Sequence, residues 1–360
     1  MSGPHRILAV KLADLGDVLL CTPALRALRQ TYPQARLDAL VTPHTELLIR
    51  HTGLVDRVIP FPKHDYDAPR ELRHLARWKR LVSLFAQLWT ARYDAVALFH
   101  HLSTRYGAIK WRLLAAATGA PRIAGLENGR GHGWLTCPVP DEGFGRRHEV
   151  EYALAVAQAL GARTEDTSLV LPPFADEDER VAALMGEDRA PYIVIHAGSG
   201  SYSRARRWDP WKFAAVADAL VDRLGVNVVV VGTFTDDGDK VVRAMRSPAL
   251  NLQGQTDLAD LAAVLRRCKL FIGADSGVMH LAAAVGVPVI ALFGPSNHQA
   301  WRPWAPPARA RVVRLGIPCS PCSYIGTQVG AREGCPQRAC MADLGPEPVL
   351  AAAMELWRDG

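Results

Sequence analysis

The strongest chemical signal in the chain lies between residues 270 and 284. A short apolar run predicts a strand, and Asp275, Ser276 and Gly277 follow it where a helix should begin. A Ser or Asp side chain can cap that helix, and the unpaired N–H groups at its positive dipole end attract an anion. Asp275 either binds sugar hydroxyls or fixes the turn, and His280 is either a phosphate donor or a core residue. This order of strand, turn and helix is typical of a site for a nucleotide diphosphate.

A second candidate anion site is the loop from His196 to Trp208. Gly198 and Ser199 come directly after a predicted buried strand, and three basic residues follow them, Arg204, Arg206 and Arg207. Backbone N–H groups and guanidinium forks suit a pyrophosphate. The loop lacks the Lys-Ser/Thr ending of a Walker loop, which argues against an ATPase. The alternative is an exposed basic loop that binds nothing.

A third candidate is the pair Gly16 and Asp17, which follows the first predicted strand. A carboxylate at this place either caps the next helix or acts as a general base on a sugar hydroxyl. Asp14, about one helical turn earlier, competes with Asp17 for the role of base. The residues alone leave these alternatives open.

Four cysteines near the end of the chain form a fourth candidate. Cys319 and Cys322 are spaced as Cys-x-x-Cys, and Cys335 and Cys340 follow in a sequence rich in loop residues. Such a set has the character of a Zn or Fe site, although the last spacing is looser than in a zinc ribbon. The alternative is a reduced structural cluster without metal. In either case we expect the cluster to be structural and not catalytic.

Composition limits the classes of function. The chain has 360 residues, of which 49% are hydrophobic and 22% charged, and its formal net charge is +6. No block of like charge is long enough for a nucleic-acid tail, and a mildly basic surface suits acidic small molecules or an anionic membrane surface. We see no secretory signal and no apolar run that would span a bilayer. We therefore expect a cytoplasmic protein with reduced cysteines.

Alternation of strand and helix patterns predicts two α/β domains with doubly wound parallel sheets. The predicted domains are 1–172 and 173–345, divided at a Pro-rich linker that spans 170–175, and a final helix covers 346–360. Predicted strands are 6–12, 37–42, 55–61, 93–99, 192–196, 226–232, 249–252, 269–273 and 287–293. Predicted helices are 18–32, 46–51, 72–89, 105–118, 210–224, 237–246, 258–267 and 277–285.

Taken together, these motifs resemble glycosyltransferase family 9, the ADP-heptose:lipopolysaccharide heptosyltransferases. The resemblance covers nearly the whole chain. It is carried by the segment 6–18 with the Thr-Pro-Ala-Leu run at 22–25, the segment 195–208, the segment 273–284 with Leu-Phe-Gly-Pro at 292–295, and the cysteine tail.

The resemblance implies a GT-B fold, in which two Rossmann-like domains face a cleft, and an inverting transfer that needs no catalytic metal. It implies that Asp17 is the base and that Arg206 neutralises the departing diphosphate. Lys is more usual at the second position, and the choice among Arg204, Arg206 and Arg207 stays open. Residues expected to bind the donor are Gly16, Gly198, Ser199, Arg207, Thr233, Asp275, Ser276, Gly277 and His280. Residues expected to bind the acceptor are Lys11, Asp14, His100 and Arg105.

The expected function is therefore transfer of heptose, or a related sugar, from ADP-heptose to a lipid-linked or core saccharide. Peripheral contact with the cytoplasmic face of the inner membrane is expected, and binding of nucleic acid is not. The resemblance also implies that the C-terminal helix packs back on the first domain. Two alternatives remain: a nucleotide-sugar epimerase of the same fold, and a non-catalytic module that binds nucleotide and metal.

Overall fold

The computed structural model describes residues 3–67, 74–174, 177–186, 190–200 and 203–359. Two predicted helix residues, 72 and 73, the last linker residue, 175, residues 201 and 202 of the second anion loop, and residue 360 of the final helix lie outside these ranges. The chain divides into two compact units. The first comprises Met1–Pro172 with Gly326–Gln328, and the second comprises Pro173–Ile325 with Val329–Gly360.

The first unit is built on a six-stranded parallel sheet. Its elements are β1 (Arg6–Lys11), α1 (Leu15–Leu19), α2 (Thr22–Thr31), β2 (Arg36–Val41), α3 (Glu46–Ile49), β3 (Arg57–Pro60), α4 (Leu75–Ala91), β4 (Ala95–Leu98), α5 (Arg105–Thr118), β5 (Arg122–Glu127), β6 (Cys137–Pro140) and α6 (Glu149–Ala159). The strand order is β3-β2-β1-β4-β5-β6. Central strand β1 is buried from Ile7 onward, as expected for a parallel sheet covered on both faces.

The second unit contains a second six-stranded parallel sheet. Its elements are α7 (Glu177–Met185), β7 (Tyr192–His196), α8 (Pro210–Leu224), β8 (Asn227–Val231), α9 (Gly238–Ala244), β9 (Leu250–Asn251), α10 (Leu258–Arg267), β10 (Leu270–Ala274), α11 (Gly277–Ala284), β11 (Val289–Leu292), α12 (His298–Trp301), β12 (Ala310–Val313), β13 (Ser323–Ile325), β14 (Gln328–Gly330), α13 (Ala339–Ala342) and α14 (Pro346–Asp359). The strand order is β12-β11-β10-β7-β8-β9, and β13 and β14 form a separate two-stranded sheet.

Both sheets bring candidate residues to the carboxyl ends of neighbouring strands. In the first unit β1 pairs with β4, with Val10 opposite Leu98, so the segments that follow these strands are adjacent. In the second unit β10 pairs with β7, with Gly273 opposite His196. Ligands of open parallel sheets bind at such strand ends.

The helix predicted over 18–32 is in fact two helices. α1 ends at Leu19 and α2 begins at Thr22, with Pro23 in its first turn. Proline has no N–H to donate to a preceding turn, so it fits a helix start better than a helix interior. The break places Asp17 in a separate short helix. Strands β5, β6, β12, β13 and β14 and helices α6, α7, α12 and α13 are not among the predicted elements.

The C-terminal helix packs on the second unit, so the prediction that it packs back on the first domain is wrong. Val349, Ala353 and Leu356 of α14 are fully or almost fully buried in the core of the second unit, where α14 contacts α8 and β12. Their spacing of four and three residues makes one apolar stripe. That stripe packs against α8 and β12 of the same unit.

None of the helices in the described ranges is long and apolar enough to span a membrane.

Candidate functional site

Asp17 lies in the first turn of α1, with its carboxylate beside a buried lysine. The Nζ of Lys11, at the end of β1, is 3.5 Å from Asp17 Oδ1. The same ammonium group donates to the carbonyl of Phe99, which follows β4, at 3.0 Å. Asp17 follows the N-cap position of α1, which Asp14 occupies. Helix capping therefore does not explain the Asp17 carboxylate.

The Asp17 carboxylate has the electrostatic setting of a base. About 33% of the side chain is exposed, yet dense protein packing around the carboxylate desolvates it and raises its pKa, and Lys11 offsets only part of this effect. Burial opposes the charge of Lys11, but its interactions with Cys21, Asp17 and Glu149 outweigh this effect and raise the lysine pKa. Asp17 thus stays reachable and becomes more basic than an ordinary Asp.

Asp14 has a different environment from Asp17. Its Oδ1 lies 3.3 Å from His44 Nε2, and both side chains are at least half exposed. The hydrogen bond from His44 lowers the pKa of Asp14 against its desolvation. Of the two carboxylates, Asp17 is the better general base because its proton affinity is higher.

The other two residues expected at the acceptor have contrasting places. The Nε2 of His100 accepts the N–H of Leu12 at 2.9 Å, and its ring stacks on Trp111 at 4.1 Å between centroids. Burial keeps the pKa of His100 well below its usual value. His100 thus fixes the backbone after β1. Arg105 is the exposed first residue of α5. Acceptor binding by either residue stays a prediction.

A buried ion cluster near Lys11 includes Asp141 and Glu149, which the sequence did not single out. His101 lies between two carboxylates, with Nδ1 3.1 Å from Asp141 and Nε2 3.1 Å from Glu149. Burial alone would lower the pKa of His101, but Glu149 and Asp141 raise it to about 9. The three residues come from separate segments of the chain. Only the fold brings them together.

We predict that this cluster makes stability depend on pH. The pKa of His101 is about 9 in the folded protein and about 6.5 when unfolded. Its stabilisation is therefore complete below pH ~6.5 and is lost as pH rises through 9, by at most ~3 kcal/mol. Urea unfolding at pH 6.5 and pH 9.5 measures this loss. In His101→Gln the loss over this interval should shrink. His51→Gln, a control at an exposed histidine, should behave like the wild type, and equal pH dependence in all three would contradict the prediction.

In the second unit, Arg206 joins the two predicted anion loops. Its Nη1 lies 3.0 Å from Asp275 Oδ2. The guanidinium also lies over the ring of Tyr324, 5.9 Å from its centroid. Arg204, by contrast, is exposed. Among the three arginines, Arg206 is the one placed beside the turn that opens α11.

Arg207 is a buried clip between loops. Its guanidinium contacts Asp236 at 3.1 Å and Asp237 at 3.0 Å, and it donates to the carbonyl of Thr235 at 2.9 Å. It also donates to the hydroxyl of Ser199 at 3.3 Å. These partners occupy its donors. Arg207 therefore holds the loops that follow β7 and β8, and its predicted contact with the donor stays a prediction.

Asp236 is the centre of this second cluster. It accepts from the N–H of Thr233 at 2.8 Å and from the Thr233 hydroxyl at 2.9 Å, and it lies 3.6 Å from His196 Nε2. Despite burial, His196 and Thr233 hold the pKa of Asp236 far below its usual value. A Cβ at Gly198 would collide with this carboxylate. Glycine at 198 is thus a packing requirement.

The turn at the start of α11 has the predicted cap. Ser276 is the N-cap residue, and its hydroxyl accepts from Met279 N–H and lies 3.2 Å from His196 Nδ1. Gly277 is the first residue of the helix. The Nδ1 of buried His280 has no hydrogen-bond partner within the described ranges. Burial lowers the pKa of His280 to about 4, so the ring is neutral at pH 7. The sequence also missed Phe234, an exposed ring beside Thr233.

The four C-terminal cysteines fall in one segment of the second unit, and Cys340 interacts electrostatically with the other three. Cys319 and Cys335 are exposed, Cys322 is half-buried and Cys340 is buried. Burial and the three other thiols raise the pKa of Cys340. Cys335 Sγ accepts the N–H of Arg338 at 3.3 Å. Across the described part of the chain, no three His, Cys, Asp or Glu side chains are placed to hold a metal ion. The thiols suit Zn or Fe in kind, but their arrangement is not a closed ligand set.

Comparison with known proteins connects both units to one family. The sequence model of glycosyltransferase family 9 (heptosyltransferase) matches residues 79–331. Lipopolysaccharide heptosyltransferase 3 of Escherichia coli K12 is 31% identical over 302 residues, which cover 80% of this chain and 82% of that enzyme.

Solved structures show the same fold. ADP-heptose lipopolysaccharide heptosyltransferase II of E. coli superposes with a TM-score of 0.73 at 23% identity, covering 98% of each chain. The iron-containing dodecameric glycosyltransferase TibC from enterotoxigenic E. coli gives a TM-score of 0.62 at 17% identity, covering 99% of this chain and 80% of that one. These likenesses confirm the predicted GT-B class.

Proposed function

Because the chain belongs to glycosyltransferase family 9 (heptosyltransferase), we propose that it transfers heptose from ADP-heptose to a saccharide of the lipopolysaccharide core. The observation that supports binding of the ADP-heptose donor is the pairing of Arg206 with Asp275 at 3.0 Å. This pair joins the loop after β7 to the N-terminus of α11. Positive charge, a helix N-terminus and a buried carboxylate are then adjacent, as a nucleotide sugar requires.

The proposed reaction is an inverting displacement. Asp17 takes the proton from an acceptor hydroxyl, and the oxygen of that hydroxyl forms a bond to the anomeric carbon of heptose. The bond from that carbon to the β-phosphate oxygen breaks, and ADP leaves with the electron pair. Base catalysis of this kind contributes about 10²–10⁴-fold to the rate.

Arg206 and the first turn of α11 stabilise the charge that builds on the departing diphosphate. A guanidinium group and free N–H groups that are in place beforehand favour the transition state over the ground state. In this mechanism no metal ion has to neutralise the leaving group. Asp275 orients Arg206, and the neutral His280 is available as a donor to phosphate or sugar oxygen.

The acceptor site belongs, in this proposal, to the first unit. Lys11 holds Asp17 in place and Arg105 lies after the neighbouring strand, so an anionic core saccharide would meet positive charge. We place the reaction on the cytoplasmic face of the inner membrane, in peripheral contact with it.

One incubation separates the proposed function from its alternatives. With ADP-heptose and a core saccharide, the transferase releases ADP and adds one heptose to the acceptor mass. An epimerase would convert the donor without acceptor and release no ADP. A binding module would leave the donor intact. A donor that stays intact in the presence of several core acceptors would overturn the proposal.

We propose a purely structural role for the cysteine cluster, with Zn or Fe as the metal that its thiols suit. Support comes from the proximity of Cys319, Cys322, Cys335 and Cys340, and from the iron-containing relative TibC. Metal bound by thiolates adds its binding free energy to folding. The four thiols are not among the residues assigned to chemistry, although Tyr324 of the same segment lies beside the Arg206 guanidinium.

We predict that removal of metal from the cluster lowers the melting temperature by several degrees without changing turnover of the folded fraction. Elemental analysis of protein purified without chelator gives the metal content, and a chelator titration followed by melting gives the stability. Cys137→Ala, at a half-buried cysteine of β6, should show the same response to chelator as the wild type. Less than about 0.1 metal per chain with four titratable thiols would leave the reduced cluster as the correct description.

A further inference from the structure

Six large apolar side chains are exposed on two helices of the first unit that pack against each other. Their exposed fractions run from 46% to 71%, and they are Leu75, Trp78, Val82 and Trp89 of α4 and Ile109 and Leu113 of α5. Exposed apolar residues are normal when they are single, but a contiguous group marks an interaction site. We call this group, with the basic residues between its members, the α4–α5 face.

On α4 the exposed apolar residues form one stripe. Leu75, Trp78 and Val82 are three and four residues apart, and Trp89 follows Val82 by seven, which is about two helical turns. Buried Leu84 and Leu88 are on a different side and belong to the core. The helix is therefore apolar on two sides, one of them buried in the core and the other 46–71% exposed.

The stripe continues onto α5. The ring of Trp89 lies against Gly119, the C-cap of α5, where a Cβ would come within 3.3 Å of it. On α5 the exposed Arg105, Ile109 and Arg112 are spaced by four and three residues, so they share one side of the helix. Exposed basic side chains thus lie near exposed apolar ones over the first turns of α4 and over α5.

The charge of the face has a single sign. The 17 residues of α4 and the 14 residues of α5 contain no Asp or Glu and six basic residues, Arg77, Lys79, Arg80, Arg105, Lys110 and Arg112. The net charge of the whole chain is also +6. Arg80 and Lys110 are paired with Asp65 and Asp67. Lys79, Arg105 and Arg112 are exposed.

We propose that the α4–α5 face binds the surface of an anionic phospholipid bilayer. Trp, Leu, Val and Ile would insert at the boundary of headgroups and acyl chains, and Lys and Arg would contact the lipid phosphates. A second copy of this chain fits less well, because the exposed Lys79, Arg105 and Arg112 of one copy would face the same cations of the other. The proposal deepens the membrane contact proposed above, but it does not depend on the donor or on the reaction.

Sedimentation of the full chain with lipid vesicles tests the proposal. Vesicles of phosphatidylcholine with 30% phosphatidylglycerol should bind the protein, and vesicles of phosphatidylcholine alone should bind it at least tenfold more weakly. Binding to the anionic vesicles should fall as salt rises. The double variant Val82→Gln with Ile109→Gln should lower the affinity at least tenfold. Trp211→Gln, at a tryptophan of the second unit that is 57% exposed, is the matched control and should bind like the wild type.

Other readouts distinguish the possible failures. With a lipid-free core saccharide as acceptor, the double variant should transfer heptose at the wild-type rate. The vesicle assay does not use this reaction, so the absence of transfer in the wild type would refute the proposed function and leave the result with lipid unchanged. If the double variant does not fold, Lys79→Gln with Arg112→Gln replaces it and should lower binding several-fold. Wild-type protein that ignores anionic vesicles, or a folded variant that binds them equally, would overturn the proposal. So would a wild-type dimer that the double variant converts to a monomer, because the face would then join two copies.

Discussion

Replacement of Asp17 by Asn should lower heptosyl transfer at least a hundredfold while the affinity for ADP changes less than twofold. Asn keeps the size of the side chain and can still accept a hydrogen bond from Lys11, which lies 3.5 Å away in the wild type. It cannot take a proton from the acceptor hydroxyl. General-base catalysis contributes about 10²–10⁴-fold, and the variant should lose that factor in kcat. Steady-state kinetics and calorimetric titration with ADP measure the two quantities.

The matched comparison is Asp14→Asn. Asp14 is exposed and paired with His44, so its loss should cost much less transfer than the loss of Asp17. A larger loss of transfer in Asp14→Asn than in Asp17→Asn would identify Asp14 as the base. The wild-type rate should also fall on the acid side at a higher pH than an ordinary Asp would give, because burial raises the pKa of Asp17. More than about a tenth of wild-type turnover in Asp17→Asn would make the base role untenable.

Replacement of Arg206 by Ala should weaken donor binding and slow the chemical step together. In the proposed mechanism the guanidinium group meets the diphosphate in the ground state and additional negative charge in the transition state. Loss of one such preorganised donor typically costs 10²–10³-fold in kcat, and we expect a decrease of that order with a raised KM for the donor. Asp275 would also lose its partner at 3.0 Å. Binding of ADP-heptose and single-turnover kinetics separate these two effects.

Two neighbouring arginines serve as controls for Arg206. Arg204 is exposed in the same segment, so Arg204→Ala removes an equal charge and should change kcat less than threefold. Arg206→Lys should recover much of the activity, because a positive charge remains although the planar fork is lost. Arg207→Ala should instead lower the melting temperature, because it leaves Asp236 and Asp237 without their common partner. Unchanged affinity and rate in Arg206→Ala would move the role to Arg204 or Arg207.

The sequence predicted those parts of the molecule that depend on local patterns. Strand β10, the turn at Ser276 and helix α11 follow one another within a few residues, so the apolar run and the cap were sufficient to place them. The break between α1 and α2 was missed because the apolar spacing runs through it. The predicted packing of α14 on the first domain is wrong. An apolar stripe such as that of Val349, Ala353 and Leu356 predicts burial but not the core in which the residues are buried.

Contacts between residues far apart in the chain could not be predicted from the sequence. His101, Asp141 and Glu149 lie in three separate segments, and no spacing rule connects them. The same holds for the roles of Arg206 and Arg207. Adjacent residues in an irregular loop point in directions that only the packed structure decides, and here one contacts Asp275 while the other is tied to Asp236.

The buried clip formed by Arg207 bears on how the nucleotide sugar is received. Its contacts with Asp236, Asp237 and Thr235, and the contact of Ser276 with His196, lie entirely within the second unit. These contacts therefore form when the chain folds and do not wait for the donor. In the proposed function the donor would meet side chains that are already held in place, so less of its interaction energy would be consumed in ordering them and more would remain for selecting the correct sugar and for the transition state.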